Sequence, residues 1–199
     1  MAYDVASSMD VLTKVAAALK TNGVDTVIVN NATEARAKVL SLVPADAEVM
    51  VMTSATLDTI GLSKDLDAYP GAVRPKLYDS NVSAREKKKL GSAPQITVGS
   101  VHAVTMDGHV LIASASGSQL AAYVYGADRV IWVVGGQKIV KDVDNGQRRI
   151  KEYVVPLEDA RARAAYGVGT AINNLLIMNA NMFFPGRITM ILVAEKLGF

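Results

Sequence analysis

Glu48-Val-Met-Val-Met-Thr-Ser-Ala-Thr-Leu-Asp-Thr-Ile-Gly-Leu62 is the stretch that decides the fold of this 199-residue chain. The apolar run 48–52 reads as a buried strand. It ends in a cluster of small hydroxyl residues, Thr53, Ser54 and Thr56, and an amphipathic segment follows at once. Strand, tight loop and helix start, in that order, belong to an α/β architecture. A helix start also presents unpaired backbone N–H groups and partial positive charge, and small neighbours let an anion approach it closely.

Working outward, Met9, Leu12, Val15, Ala16 and Leu19 have helical spacing within 7–22, and Asn22-Gly23 supplies the stop. Asp25–Val29 is a β-branched strand, and Thr33–Val43 is a helix with Pro44 just past its end. Alternating strands and helices predict parallel pairing through right-handed crossovers. Downstream, Tyr69–Pro75 is a loop and 76–80 a short strand. Ser83-Ala-Arg-Glu86 is a capping box that opens a helix ending near Leu90-Gly91. Val101–Met106 and His109–Ser114 flank Asp107-Gly108, the spacing of a two-residue type I′ hairpin that sets Met106 opposite His109 and His102 opposite Ala113. This pair makes the expected sheet mixed. Leu120–Tyr125 reads as a helix closed by Gly126, and Arg129–Val134 as a continuous buried strand. Helices at 142–154 and 157–166 are separated by Pro156, 170–180 is apolar and helical, and 188–194 is the last strand. The expectation is one α/β domain over 1–199, with a mixed, mainly parallel twisted sheet flanked by helices.

Net charge is +2, from 21 basic and 19 acidic residues. This offers no basic face for nucleic acid, and Lys87-Lys88-Lys89 reads as a solvated helix face. There is no cysteine, which excludes disulfides, thiolate nucleophiles and cysteine-bound metals and fits a reducing cytoplasm. Met1–Val5 lacks a leader signature, and no apolar run approaches the ~20 residues that span a bilayer. The expectation is a cytoplasmic protein with neither a nucleic-acid nor a membrane partner.

Three strand ends carry small or glycine-rich loops: 53–56, 116–119 and 135–138. In an open α/β sheet, ligands bind beyond the carboxyl ends of strands, so the three loops are expected to share a crevice, although small residues also serve tight turns. Candidate ligand contacts are Thr53, Ser54 and Thr56, then Gly117, Ser118 and Gln119, then Gly135, Gly136 and Lys138. Lys138 can reach an anion as a point charge, and Arg187 can clamp a carboxylate. None of the loops matches a phosphate-loop or dinucleotide fingerprint. His102 and His109 lie roughly 13 Å apart along the hairpin, too far to share a metal, so no metal site is expected. Asp58, Asp107 and Asp142 are the acids near the loops. Asp107 and Asp58 are the candidate catalytic bases, for proton abstraction at a sugar-phosphate or hydroxy-acid carbon.

Thr53-Ser-Ala-Thr-Leu-Asp-Thr-Ile-Gly-Leu62 resembles the loop of LUD-domain proteins, the bacterial lactate-utilisation family, whose pattern is approximately G-S-S-x-T-L-x-E-x-G. The resemblance continues through Ala103–Leu111, Ser114–Leu120, Tyr125–Val140 and Pro185–Phe199. It implies a fold like that of ribose-phosphate isomerase and the CoA transferases, in which the loop matching 53–56 holds a phosphate or part of CoA and the loop matching 116–119 lines the same crevice. It also implies a small anionic ligand: a sugar phosphate, an acyl-CoA, or a hydroxy or keto acid. The alternative is a non-catalytic subunit of a lactate-oxidising complex. The partners are then a small anionic ligand, and a second copy of the chain or lactate-utilisation subunits. No cofactor is assigned. Thr59 stands where the family pattern has glutamate, and the cysteine cluster of many relatives is replaced by Ala165-Tyr-Gly-Val-Gly-Thr170.

Overall fold

Strand β6 (Arg129–Gly135) shows why the architecture is layered. Val130, Trp132 and Val134 point into one hydrophobic core, while Ile131 and Val133 point into another. A strand apolar on both faces needs cover on both. In the computed structural model, which describes residues 3–199, β6 is the centre of a five-stranded, wholly parallel sheet. Its order is β1 (Asp25–Val29), β9 (Ile188–Val193), β6, β3 (Ile96–Gly99), β2 (Val49–Val51). Met1 and Ala2, part of the segment read for a leader, lie outside the described residues.

One face is covered by α2 (Ala32–Leu42), α3 (Ala55–Thr59) and α4 (Leu62–Asp67), through Ala35, Val39, Leu57, Leu62 and Leu66. The other meets α1 (Met9–Thr21) and a second, four-stranded sheet. That sheet has the order β7 (Ile139–Val140), β4 (Ala103–Thr105), β5 (Val110–Ser114), β8 (Asn174–Met178). A third core, of Ala103, Leu111, Ala113, Val140 and Ile150, joins its outer face to α8 (Val143–Arg149). Among the described residues no helix is long and apolar enough to cross a membrane.

The mixed, mainly parallel expectation therefore resolves into two sheets, with the hairpin in the second and not inserted in the parallel frame. The hairpin register also differs by one residue. Ala103 pairs with Leu111 and Val104 with Val110, and the Thr105 amide bonds the His109 carbonyl. The loop is thus Met106-Asp107-Gly108. A type I′ turn needs positive φ at both central residues, but only Gly108 has it, at 84°. Asp107 keeps a normal φ and accepts the Thr105 hydroxyl, which in turn accepts the His109 amide at 2.8 Å.

Residues 170–180 form no helix. Their apolar run is β8, antiparallel to β5, with Leu176 and Met178 packed inward and Leu175 and Ile177 exposed. An apolar run this short cannot be told from a buried helix by periodicity alone. The strand expected at 76–80 is replaced by a helical turn, α5 (Arg74–Leu77), with Pro75 in its first turn. Pro156 separates nothing. α8 runs through a π-turn, Ile150–Val154, into α9 (Val155–Tyr166), and the wide turn accommodates the missing proline N–H. The capping box is half made: Ser83 accepts from the Glu86 amide at the start of α6 (Ala84–Ser92), while the Glu86 carboxylate pairs with Lys89.

Gly99, the last residue of β3, is fixed by packing: a Cβ there would collide with the hydroxyl of buried Tyr123, which itself stacks edge-on against Trp132 at 5.4 Å. Gly99→Ala is expected to cost ~1–3 kcal/mol of overpacking, read as a lower urea midpoint, and Tyr123→Phe in the same chain is expected to restore part of it.

Candidate functional site

A cleft of ≈ 400 Å³ opens beyond the carboxyl ends of β2, β3 and β6, and is closed by the end of β5, by the π-turn Ile150–Val154 and by α9. Its floor is set by Lys138. A 3₁₀ turn, Gly136–Lys138, swings the chain out of β6 into β7 and leaves the lysine only 3% exposed. Its Nζ donates to Thr56 Oγ1 at 2.9 Å, Ser100 Oγ at 3.1 Å and the Val101 carbonyl at 3.1 Å. Both hydroxyls direct their own protons elsewhere, Thr56 to the Leu197 carbonyl and Ser100 to the Val133 carbonyl. They are therefore acceptors for an ammonium with three protons. Among the described residues no carboxylate pairs with it. Burial pushes its pKa down to about 7, and the Arg149 charge adds to this.

His102 follows β3 and stands beside the lysine. Its Nδ1 accepts the Ala113 amide at 3.1 Å, so the proton of the neutral ring lies on Nε2. Desolvation, then the charges of Lys138 and Arg149, hold its pKa at about 3. The ring is neutral at ordinary pH and is a hydrogen-bond donor. Arg149 lies beneath it, fully buried, with Nη1 on the His102 carbonyl at 2.6 Å and its charge 5.3 Å from the Tyr153 ring centre. Its Nε and Nη2 have no partner. The far wall carries Glu158 and Arg161, bonded to each other at 2.6 and 2.7 Å.

Of the candidates, Thr53, Ser54, Thr56, Ser118, Gln119 and Lys138 line this cleft together. Gly117 stands beside it, its amide on Ser114 Oγ at 2.8 Å. Gly135 and Gly136 lie behind the lysine. Gly136 bonds the Glu195 carbonyl and the Ser7 amide, so this turn anchors the two terminal segments. Arg187 is placed elsewhere. It donates to the carbonyls of Ala122, Tyr123 and Ala127 at 2.8–3.0 Å, closing the π-turn Ala122–Gly126 that follows α7 (Ser118–Ala121). Arg187→Leu would take a donor from all three carbonyls and leave Ala122 with the Ala127 amide alone, with an expected loss of ~2 kcal/mol or more in chemical denaturation. Asp58 accepts from Ser63, Asp107 is exposed at the hairpin tip, and Asp142 caps α8. None of these three acids lines the cleft. Ser100, His102, Arg149, Glu158 and Arg161 were not among the expected ligand contacts. The signal for Ser100 and His102 was the short apolar run Ile96–Gly99 directly before them.

Residues 12–193 match the LUD domain. The chain belongs to the LUD domain family. Among solved structures it is similar to a DUF162 family protein from Deinococcus radiodurans, at 15% identity and a TM-score of 0.57, over 94% of this chain and 98% of that one. At that identity the likeness is one of fold. No curated protein matches the chain. In this LUD domain Thr59 turns back on its own helix and donates to the Ala55 carbonyl at 2.7 Å. The loop thus brings hydroxyls to the cleft and no acid.

Proposed function

We propose that this LUD-domain protein binds a small organic anion in the cleft beyond β2, β3 and β6. A hydroxy or keto acid, a sugar phosphate or an acyl-CoA would suit it, in keeping with the lactate-utilisation link of its family. The observation that carries the reading is the Lys138 ammonium, buried in the floor with three neutral acceptors and no carboxylate. An unpaired buried cation costs stability, and an anion entering a water-poor cleft recovers that cost with a strong attraction. The neutral His102 supplies an Nε2–H donor, and Thr53 and Ser54 supply hydroxyls.

Thermal-shift titration with lactate, pyruvate, inorganic phosphate, sugar phosphates and CoA esters tests this. A ligand at 100 times its Kd adds about 2.7 kcal/mol. The shift is expected at pH 6, weaker at pH 8.5 as the lysine loses its proton, and absent in Lys138→Met. No shift with any of these compounds overturns the reading. A second reading, a non-catalytic subunit of a lactate-oxidising complex, is favoured by one observation: Glu158, the acidic side chain among the described residues that line the cleft, is already engaged by Arg161. Co-purification with partner subunits at fixed stoichiometry is its test.

A further inference from the structure

One wall of the cleft is apolar well beyond what a three-carbon acid can use. Ile150, Val154, Val155 and Ala162 form it along the π-turn and α9, and Val168 and Ile172 continue it past the helix end. The last two are 64% and 39% exposed. Contiguous apolar side chains at the mouth of a cleft mark a surface that a ligand covers.

Size points the same way. A water molecule takes about 30 Å³ of the liquid, and a three-carbon acid is roughly four waters in bulk. Such an acid leaves most of the ≈ 400 Å³ unfilled. Charge narrows the class further. The charged lining residues on the apolar side, Glu158 and Arg161, are paired with each other through two hydrogen bonds. Among the described residues no free cation stands there for a second carboxylate or a phosphate, so one acid group, at the Lys138 end, is what the cleft accommodates.

We infer, resting on the anion reading above, that the ligand is an amphipathic monoacid: its acid group over Lys138 and His102, and an apolar chain of roughly five to ten carbons along Ile150, Val155, Val168 and Ile172. Chain length, not the acid group alone, then sets affinity.

Calorimetric titration at pH 6 with straight-chain 2-hydroxy acids of three to twelve carbons tests the inference. Affinity is expected to rise about fourfold per added methylene, then to level off once the chain outgrows the wall. Ile172→Asp, at a position 39% exposed, is expected to abolish most of that rise while leaving the urea midpoint close to that of the wild type. A three-carbon acid binding as tightly as an eight-carbon one overturns this inference and leaves the anion reading standing. Failure of every acid, whatever its length, overturns both.

Discussion

Replacing Lys138 by methionine is expected to yield a protein more stable than the wild type below pH 7 and unable to hold an anion. The lysine's pKa in the folded chain is about 7, against an ordinary value of 10.5. Between those values the unfolded chain carries a proton that the folded chain does not. Wild-type stability therefore climbs as pH rises from 7 to 10.5 and is lowest, for this group, at pH 7 and below. The full difference is on the order of 5 kcal/mol. Methionine has similar length and no charge, so its curve stays flat across the window. Its cost is smaller, because only the Val101 carbonyl loses an obligatory donor while the two hydroxyls keep their own acceptors. Urea denaturation of both proteins at half-unit pH steps from 6 to 10 measures the difference. Parallel curves would mean that the ammonium is well solvated, and the floor of the cleft would lose its electrostatic meaning. A residue whose removal stabilises the fold while ending ligand binding is the signature of a group retained for function.

The parts of this site legible in the sequence are those with a strong local signal. Glu48–Met52 followed by Thr53, Ser54 and Thr56 announces strand, loop and helix start within a few residues, and the structure has β2, the loop and α3 there. Lys138 was readable because Arg129–Val134 is a long apolar strand that hands the chain to Gly135-Gly136. What stayed hidden depends on partners distant in sequence. Strand β3 has four residues and gains its identity only by lying between β2 and β6. Without it, Ser100 and His102 have no strand end to stand on. Arg149 reads as an ordinary charged helix residue, and its burial beneath His102 comes from the packing of α8 on the second sheet. Asp107-Gly108 reads from the sequence as a two-residue turn, whereas the Thr105 hydroxyl, by bonding both Asp107 and the His109 amide, favours the three-residue loop. The edge position of β8, with one face packed and one exposed, is likewise a property of the sheet and not of the segment.

The mirror-image experiment lies in acid. His102 has a pKa of about 3 in the folded protein against an ordinary value of 6.5, chiefly through desolvation and then through Lys138 and Arg149. As pH falls from 6.5 the unfolded chain takes up a proton that the folded chain refuses. Stability from this group is therefore complete above pH 6.5 and drains away down to about pH 3, by on the order of 5 kcal/mol. For a domain with a total of about 5–15 kcal/mol, that is a major share of acid unfolding. Asparagine at position 102 places an oxygen near the Nδ1 site, keeps an acceptor for the Ala113 amide, and does not titrate. His102→Asn is therefore expected to unfold in acid about one pH unit or more below the wild type, with little change at pH 7. Lys138→Met is expected to move the midpoint the same way, because it removes the buried ammonium that weakens the fold below pH 7 and with it one of the two cations that oppose protonation of the ring. The two effects should then fall short of additivity in the double variant, which marks residues coupled through a shared field. Circular dichroism followed from pH 7 to pH 2 on all four proteins supplies the measurement. Coincident midpoints for wild type and His102→Asn would place the imidazole in contact with water and remove it as the neutral donor of the cleft.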